Sequence, residues 1–128
     1  MKRLIALLVL LALPLGALAQ TCPVAASGDT GATLNWTTPT QGVAGDPLAG
    51  VPLTYNVYQS TDNVTFTKTQ TGLTGNSVAL TGLAYSTTYY WKLTAQDSAG
   101  EGPLTNVVCK SVAAQPQSPP QAPVLSVK

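Results

Sequence analysis

Histidine is absent from the 128 residues. The side chain most used as a general base near neutral pH, and the commonest metal ligand, is therefore missing. Serines are plentiful, but none has an imidazole to activate it. Only 9% of the residues are charged. The acids Asp29, Asp46, Asp62, Asp97 and Glu101 are scattered through turns and loops, with no pair placed for acid–base work. The glycines read as turn residues, not as a phosphate-cradling loop. Asp97 and Glu101 together offer too few oxygens for calcium and read as solvated turn acids. No catalytic residue, metal or cofactor is expected, and the chain reads as a protein that is not an enzyme. Basic residues are equally scarce. Beyond the leader described next, only Lys68, Lys92, Lys110 and Lys128 remain against the five acids. That slightly negative balance argues against nucleic acid and against charge-driven membrane binding as partners.

The N-terminus carries the pattern of an export signal. Lys2 and Arg3 precede an apolar run from Leu4 to Leu13 that continues to about Leu18. Ala17-Leu18-Ala19 then places small residues where a signal peptidase reads them, so residues 1–19 are expected to be removed before Gln20. A membrane anchor is the alternative, but the run is about 15 residues where a span needs roughly 20. Gln20 and Thr21 before Cys22 match a lipoprotein signal poorly. The expected location is secreted, periplasmic or cell-envelope, with no stable membrane insertion after cleavage. The style of the leader suggests a bacterium or its phage, so the sequons at Asn35-Trp36-Thr37 and Asn63-Val64-Thr65 are treated as chance matches.

Two cysteines lie beyond the leader, Cys22 and Cys109. An exported compartment permits a bridge, which would tie the start of the domain to its last strand. Two free thiols are the less favoured alternative there.

The rest of the chain lacks a helical stripe. Short alternating segments rich in Val, Thr, Tyr and Leu are separated by Gly, Pro, Asn and Asp, the pattern of an antiparallel all-β domain. Strands are predicted at Pro23–Ala26, Ala32–Trp36, Leu53–Tyr58, Val64–Thr69, Ser77–Thr81, Thr88–Gln96 and Leu104–Val112. Alternation points Leu34, Trp36, Tyr55, Val57, Val78, Tyr89, Trp91, Leu93 and Ala95 inward. A long Gly/Pro-rich loop runs from Thr38 to Pro52, and Asp97–Pro103 reads as a turn. Residues 20–113 read as one domain of seven strands. Residues 114–128, interrupted by Pro116, Pro119, Pro120 and Pro123, read as an extended polyproline-like tail.

Over residues 22–112 this pattern resembles a fibronectin type III domain. Leu34-Asn35-Trp36 is similar to the family's second strand with its core tryptophan, and Tyr55-Asn56-Val57-Tyr58 to the third. Leu83 followed by Tyr89 resembles the tyrosine corner, in which a hydroxyl bonds back to the upstream backbone. Ala95 to Gly102 is similar to the family's strand-to-turn signature. The resemblance implies a seven-stranded antiparallel immunoglobulin-like β-sandwich. It does not extend to integrin binding, because the corresponding turn is Ala99-Gly100-Glu101-Gly102. The fold hosts many unrelated functions and by itself names none.

Tyr58 and Tyr90 fall on the outward parity of neighbouring strands together with Lys92, which makes them the candidate binding residues. The alternative is a cross-strand pair that only stabilises the sheet. Ala122 to Lys128 resembles the opening of another domain of the same family. It could add as a strand to a partner's open sheet edge, or it could be a disordered terminus. The expected function is an exported binding or spacer module that contacts a protein or carbohydrate surface. Alternatives are a structural or assembly subunit of a virion or cell envelope, and an accessory module of polysaccharide-degrading machinery.

Overall fold

The computed structural model describes residues 20–128, so the expected leader lies outside the described residues. Seven strands occur there: β1 (Ala32–Asn35), β2 (Thr54–Ser60), β3 (Thr67–Leu73), β4 (Ser77–Leu80), β5 (Thr88–Asp97), β6 (Gly100–Glu101) and β7 (Val108–Ser111). They form two antiparallel sheets. One is the pair β1-β4, and the other runs β3-β2-β5, with β6 and β7 both on the far edge of β5.

The inward parity read from the sequence produces the core. Tyr55 and Val57 from β2 and Tyr89, Trp91 and Leu93 from β5 are buried against Leu80, Leu83 and Val112. Ala32, Leu34, Trp36 and Val78 pack onto this layer from the smaller sheet and are partly buried. The aromatic rings organise it: Trp91 stacks on Tyr89 at 5.8 Å, and Trp36 meets Tyr55 at 5.2 Å. Ala84 N–H donates to the Tyr89 hydroxyl at 3.0 Å, which ties the start of β5 to the segment before it. Cys22 and Cys109 form a disulfide across 87 residues of sequence.

Four predicted elements differ, each for a local reason. Pro23–Ala26 is not a strand but a lone parallel bridge of Val24 to Ser111. The disulfide to Cys109 holds this segment against β7, where Ala25 N–H reaches Ser111 C=O at 2.8 Å. The strand predicted at Val64–Thr69 begins only at Thr67 and continues to Leu73. The Asp62 carboxylate accepts both the Val64 and Thr65 amides at 2.8 Å and holds those residues in the turn. The turn predicted over Asp97–Pro103 tightens into a hairpin with Ser98 and Ala99 at its tip, so that Gly100 and Glu101 pair back onto β5. Gly100 has φ +140°, a conformation that suits glycine. The last strand covers Val108–Ser111 and not Leu104–Val112. Upstream, the Thr105 hydroxyl accepts the Leu93 amide at 3.0 Å, so a side chain takes a place in the ladder that backbone would fill.

Candidate functional site

Two regions carry more than packing. The first is the outer face of the larger sheet, where Tyr58, Tyr90 and Lys92 lie. Tyr58 stands directly opposite Lys92, while Tyr90 faces Ser60 on one side and Cys109 on the other. The two tyrosines are therefore diagonal neighbours, not a directly opposed pair. All three residues are half-buried. The Lys92 ammonium sits 4.5 Å above the Phe66 ring, and Lys68 lies 5.3 Å from the Tyr58 ring.

Beside them is a polar network that the sequence reading did not assemble. Asn56 is on outward parity yet only 1% exposed. Its amide nitrogen donates to Gln96 Oε1 at 3.0 Å, Glu101 Oε1 at 3.2 Å and Thr94 Oγ1 at 3.4 Å. Its carbonyl oxygen accepts the Gly72 amide at 3.3 Å. Glu101 Oε1 also accepts from the Tyr58 hydroxyl at 2.6 Å and from the Thr94 hydroxyl, while Glu101 Oε2 takes the Lys68 ammonium at 2.9 Å. The hairpin at β6 swings this carboxylate over β2 and β5, which is how an outward asparagine becomes buried. The Tyr58 hydroxyl is thus committed to a partner within the chain.

The hydroxyls of Thr94 and Tyr58 and the Lys68 ammonium hold the Glu101 carboxyl at about 2, against an ordinary 4.5. A carboxyl whose pKa falls on folding stabilises the native state above the ordinary value and loses that contribution as pH drops toward the lowered one. Asp62, held at about 2 by the Ser60 hydroxyl and the Val64 and Thr65 amides, acts in the same direction. Thermal stability is expected to decline as pH falls from about 4.5 to about 2, and Glu101→Gln to flatten part of that decline. Melting curves across that window test this. An unchanged slope in Glu101→Gln would remove Glu101 from the network's energetics.

The second region is a cleft of about 1310 Å³ on the open side of the sandwich, between β1 and the β5-β6-β7 edge. Leu34, Trp36, Leu53, Leu93, Ala95 and Val108 give it an apolar lining, and Asp46, Asp97 and Glu101 are among its polar wall residues. The loop predicted over Thr38–Pro52 closes one end. It folds as its own small turn, with Gln41 bridging Pro47 and Leu48 N–H on Thr40 C=O at 3.0 Å. At the other end Lys110 spans from β7 to Asp29 at 2.8 Å and to the Gly31 carbonyl. The indole N–H of Trp36 is buried without a hydrogen-bond partner.

The cleft exists because β4 is the one strand paired with β1 among the described residues. Trp36 N–H bonds the Asn76 carbonyl at 2.9 Å, in register with the Leu34–Val78 and Ala32–Leu80 pairs. Even-numbered residues therefore turn their backbone groups toward β4, and Thr33 and Asn35 turn theirs to the free side. No bond from those outward groups is found among the described residues. The opening segment Pro23–Ala26 lies on β7. No group of three or more Cys, Asp or Glu side chains suited to a metal occurs among the described residues. Asp97 is occupied with the Ala99 and Gly100 amides.

Comparison with known proteins places this geometry. A family model described as Fibronectin type III domain matches residues 20–110. The chain is similar to a solved Fn3-like protein from Clostridium thermocellum, with a TM-score of 0.54 and 23% identity over 75% of this chain and 91% of that one. It is also similar to the sixth fibronectin type III domain of human fibronectin type III domain containing protein 3, with a TM-score of 0.52 and 26% identity over 73% and 80%. No curated protein matches the sequence.

Proposed function

Because this chain belongs to the fibronectin type III family, whose domains are typically non-catalytic binding or spacer modules, we propose that it is a non-enzymatic, exported binding module that takes an extended polypeptide segment along the free edge of β1. One observation carries the reading. The outward backbone groups of Thr33 and Asn35 border an apolar cleft, with no strand beside them among the described residues. An extended peptide there gains main-chain hydrogen bonds from the edge and buries alternate side chains in the cleft. Export is supported by the disulfide, and no helix among the described residues is long and apolar enough to cross a membrane.

Direct binding experiments separate this from the glycan reading of the Tyr58/Tyr90/Lys92 face. A synthetic Thr-Val-repeat peptide, titrated into dilute full chain and followed by tryptophan fluorescence, is expected to saturate, with Trp36 in the cleft as reporter. Thr33→Pro, which removes an outward N–H, is expected to weaken it about tenfold or more. The double variant Tyr58→Ser, Tyr90→Ser is expected to leave peptide binding unchanged. Saturable oligosaccharide binding that this double variant abolishes, with none for the peptide, would move the function to the tyrosine face.

A further inference from the structure

Val124, Leu125 and Val127 are the most exposed large apolar residues described, at 97%, 96% and 96%. They stand in Ala122-Pro123-Val124-Leu125-Ser126-Val127-Lys128, a segment with the character of an opening strand, and every residue from 114 to 128 is exposed. The domain meanwhile holds its own opening segment on β7, and no strand among the described residues lies on the free side of β1. Among the described residues, β1 thus has a free edge and Ala122–Lys128 is an exposed apolar segment without a pairing partner.

We infer that the segment Ala122–Lys128 of one copy adds to the free β1 edge of a second copy, so that the chain associates with itself by strand exchange. The inference rests on the cleft reading above and names its occupant. Two observations favour a second copy over the chain's own edge. Pro116 packs beside Gly28, where an added Cβ would meet its ring at 3.6 Å, so the tail leaves the domain at a defined point. Pro119, Pro120 and Pro123 then keep the connection extended at about 3.1 Å per residue, which projects the apolar strand away from its own body. The edge is four residues long, so the association is weak, with a dissociation constant on the order of 10–100 µM.

The test uses full chains. Sedimentation of the unaltered protein over rising concentration is expected to show association. The double variant Val124→Asp, Val127→Asp and the edge variant Thr33→Pro are each expected to stay monomeric alone. Mixed together they are expected to associate, because one supplies the edge and the other the strand. Amide exchange gives a readout that does not depend on the edge variant folding. Thr33 and Asn35 N–H are expected to be about tenfold better protected in the unaltered chain at high concentration than in the Val124→Asp, Val127→Asp chain. Protection that is independent of concentration in a monomer would mean that the tail closes on its own edge, and would overturn the exchange. A monomer with both amides unprotected would overturn it too. In that event the Thr-Val peptide, added to the Val124→Asp, Val127→Asp chain, separates the two claims. Protection of Thr33 and Asn35 by the peptide keeps the cleft reading and removes only the tail, and no protection removes both.

Discussion

Trp91→Ala is expected to destabilise the domain by about 3–5 kcal/mol. Trp91 is 2% exposed and sits at the centre of the larger sheet's inner face. Its ring stacks on Tyr89, and its indole N–H donates to Gln59 Oε1 at 2.9 Å. Truncation removes the largest buried side chain, leaves a cavity between rigid sheets that cannot close over it, and strips Gln59 of its partner. Domains of this size hold about 5–15 kcal/mol in total, so the variant loses a large share. Urea denaturation measures it: the midpoint should fall with the slope unchanged. A loss below about 1 kcal/mol would mean that the two sheets do not enclose a close-packed layer at this position.

Removing the Cys22–Cys109 bridge is the second large effect, and it works through the unfolded chain. The cysteines are separated by 87 residues. Releasing a loop of that length restores unfolded-state entropy worth about 4 kcal/mol in the chain-entropy model. For a domain of this length that is a drop in Tm of roughly 15–30 °C. Cys22→Ala, Cys109→Ala should show it, and the unaltered protein under full reduction should melt near the double variant. Trp91→Ala should lose stability with or without reductant, because its defect is in the native core. The bridge also has a positional role. It holds Pro23–Ala26 on β7, so the double variant frees that segment to compete for the β1 edge. Peptide binding at β1 is then expected to weaken, read by the same fluorescence titration. Reduction that leaves Tm unchanged would show that the loop is restrained by something other than the disulfide.

Together the two variants separate what packing contributes from what the covalent tie contributes. The polar network on the opposite face adds a third kind of stabilisation, tied to pH through Glu101. It lies beside Tyr58 and draws on that side chain. Tyr58 spends its hydroxyl on Glu101, Lys68 covers its ring, and Lys92 is drawn to Phe66.

The inward faces of β2 and β5 were legible from alternation alone, because side chains on a strand switch sides at every residue and apolar ones must share a side. Tyr55, Val57, Tyr89, Trp91 and Leu93 are buried as that period requires. Lateral pairing carries no such local signal. Whether Pro23–Ala26 lies on β1 or β7, and whether Glu101 lands over Asn56, depends on contacts between residues far apart in the chain. Asn56 does offer a hint, as an amide amid strand formers, but its acceptors at Thr94, Gln96 and Glu101 are brought to it only when β5 and β6 pair beside β2. The family, the core and the two sheets were thus within reach of the amino-acid order, since each follows from a two-residue period and a few marked positions. The free edge of β1 and the cleft beside it were decided by the tertiary structure, where one covalent bond draws the opening segment to the other sheet.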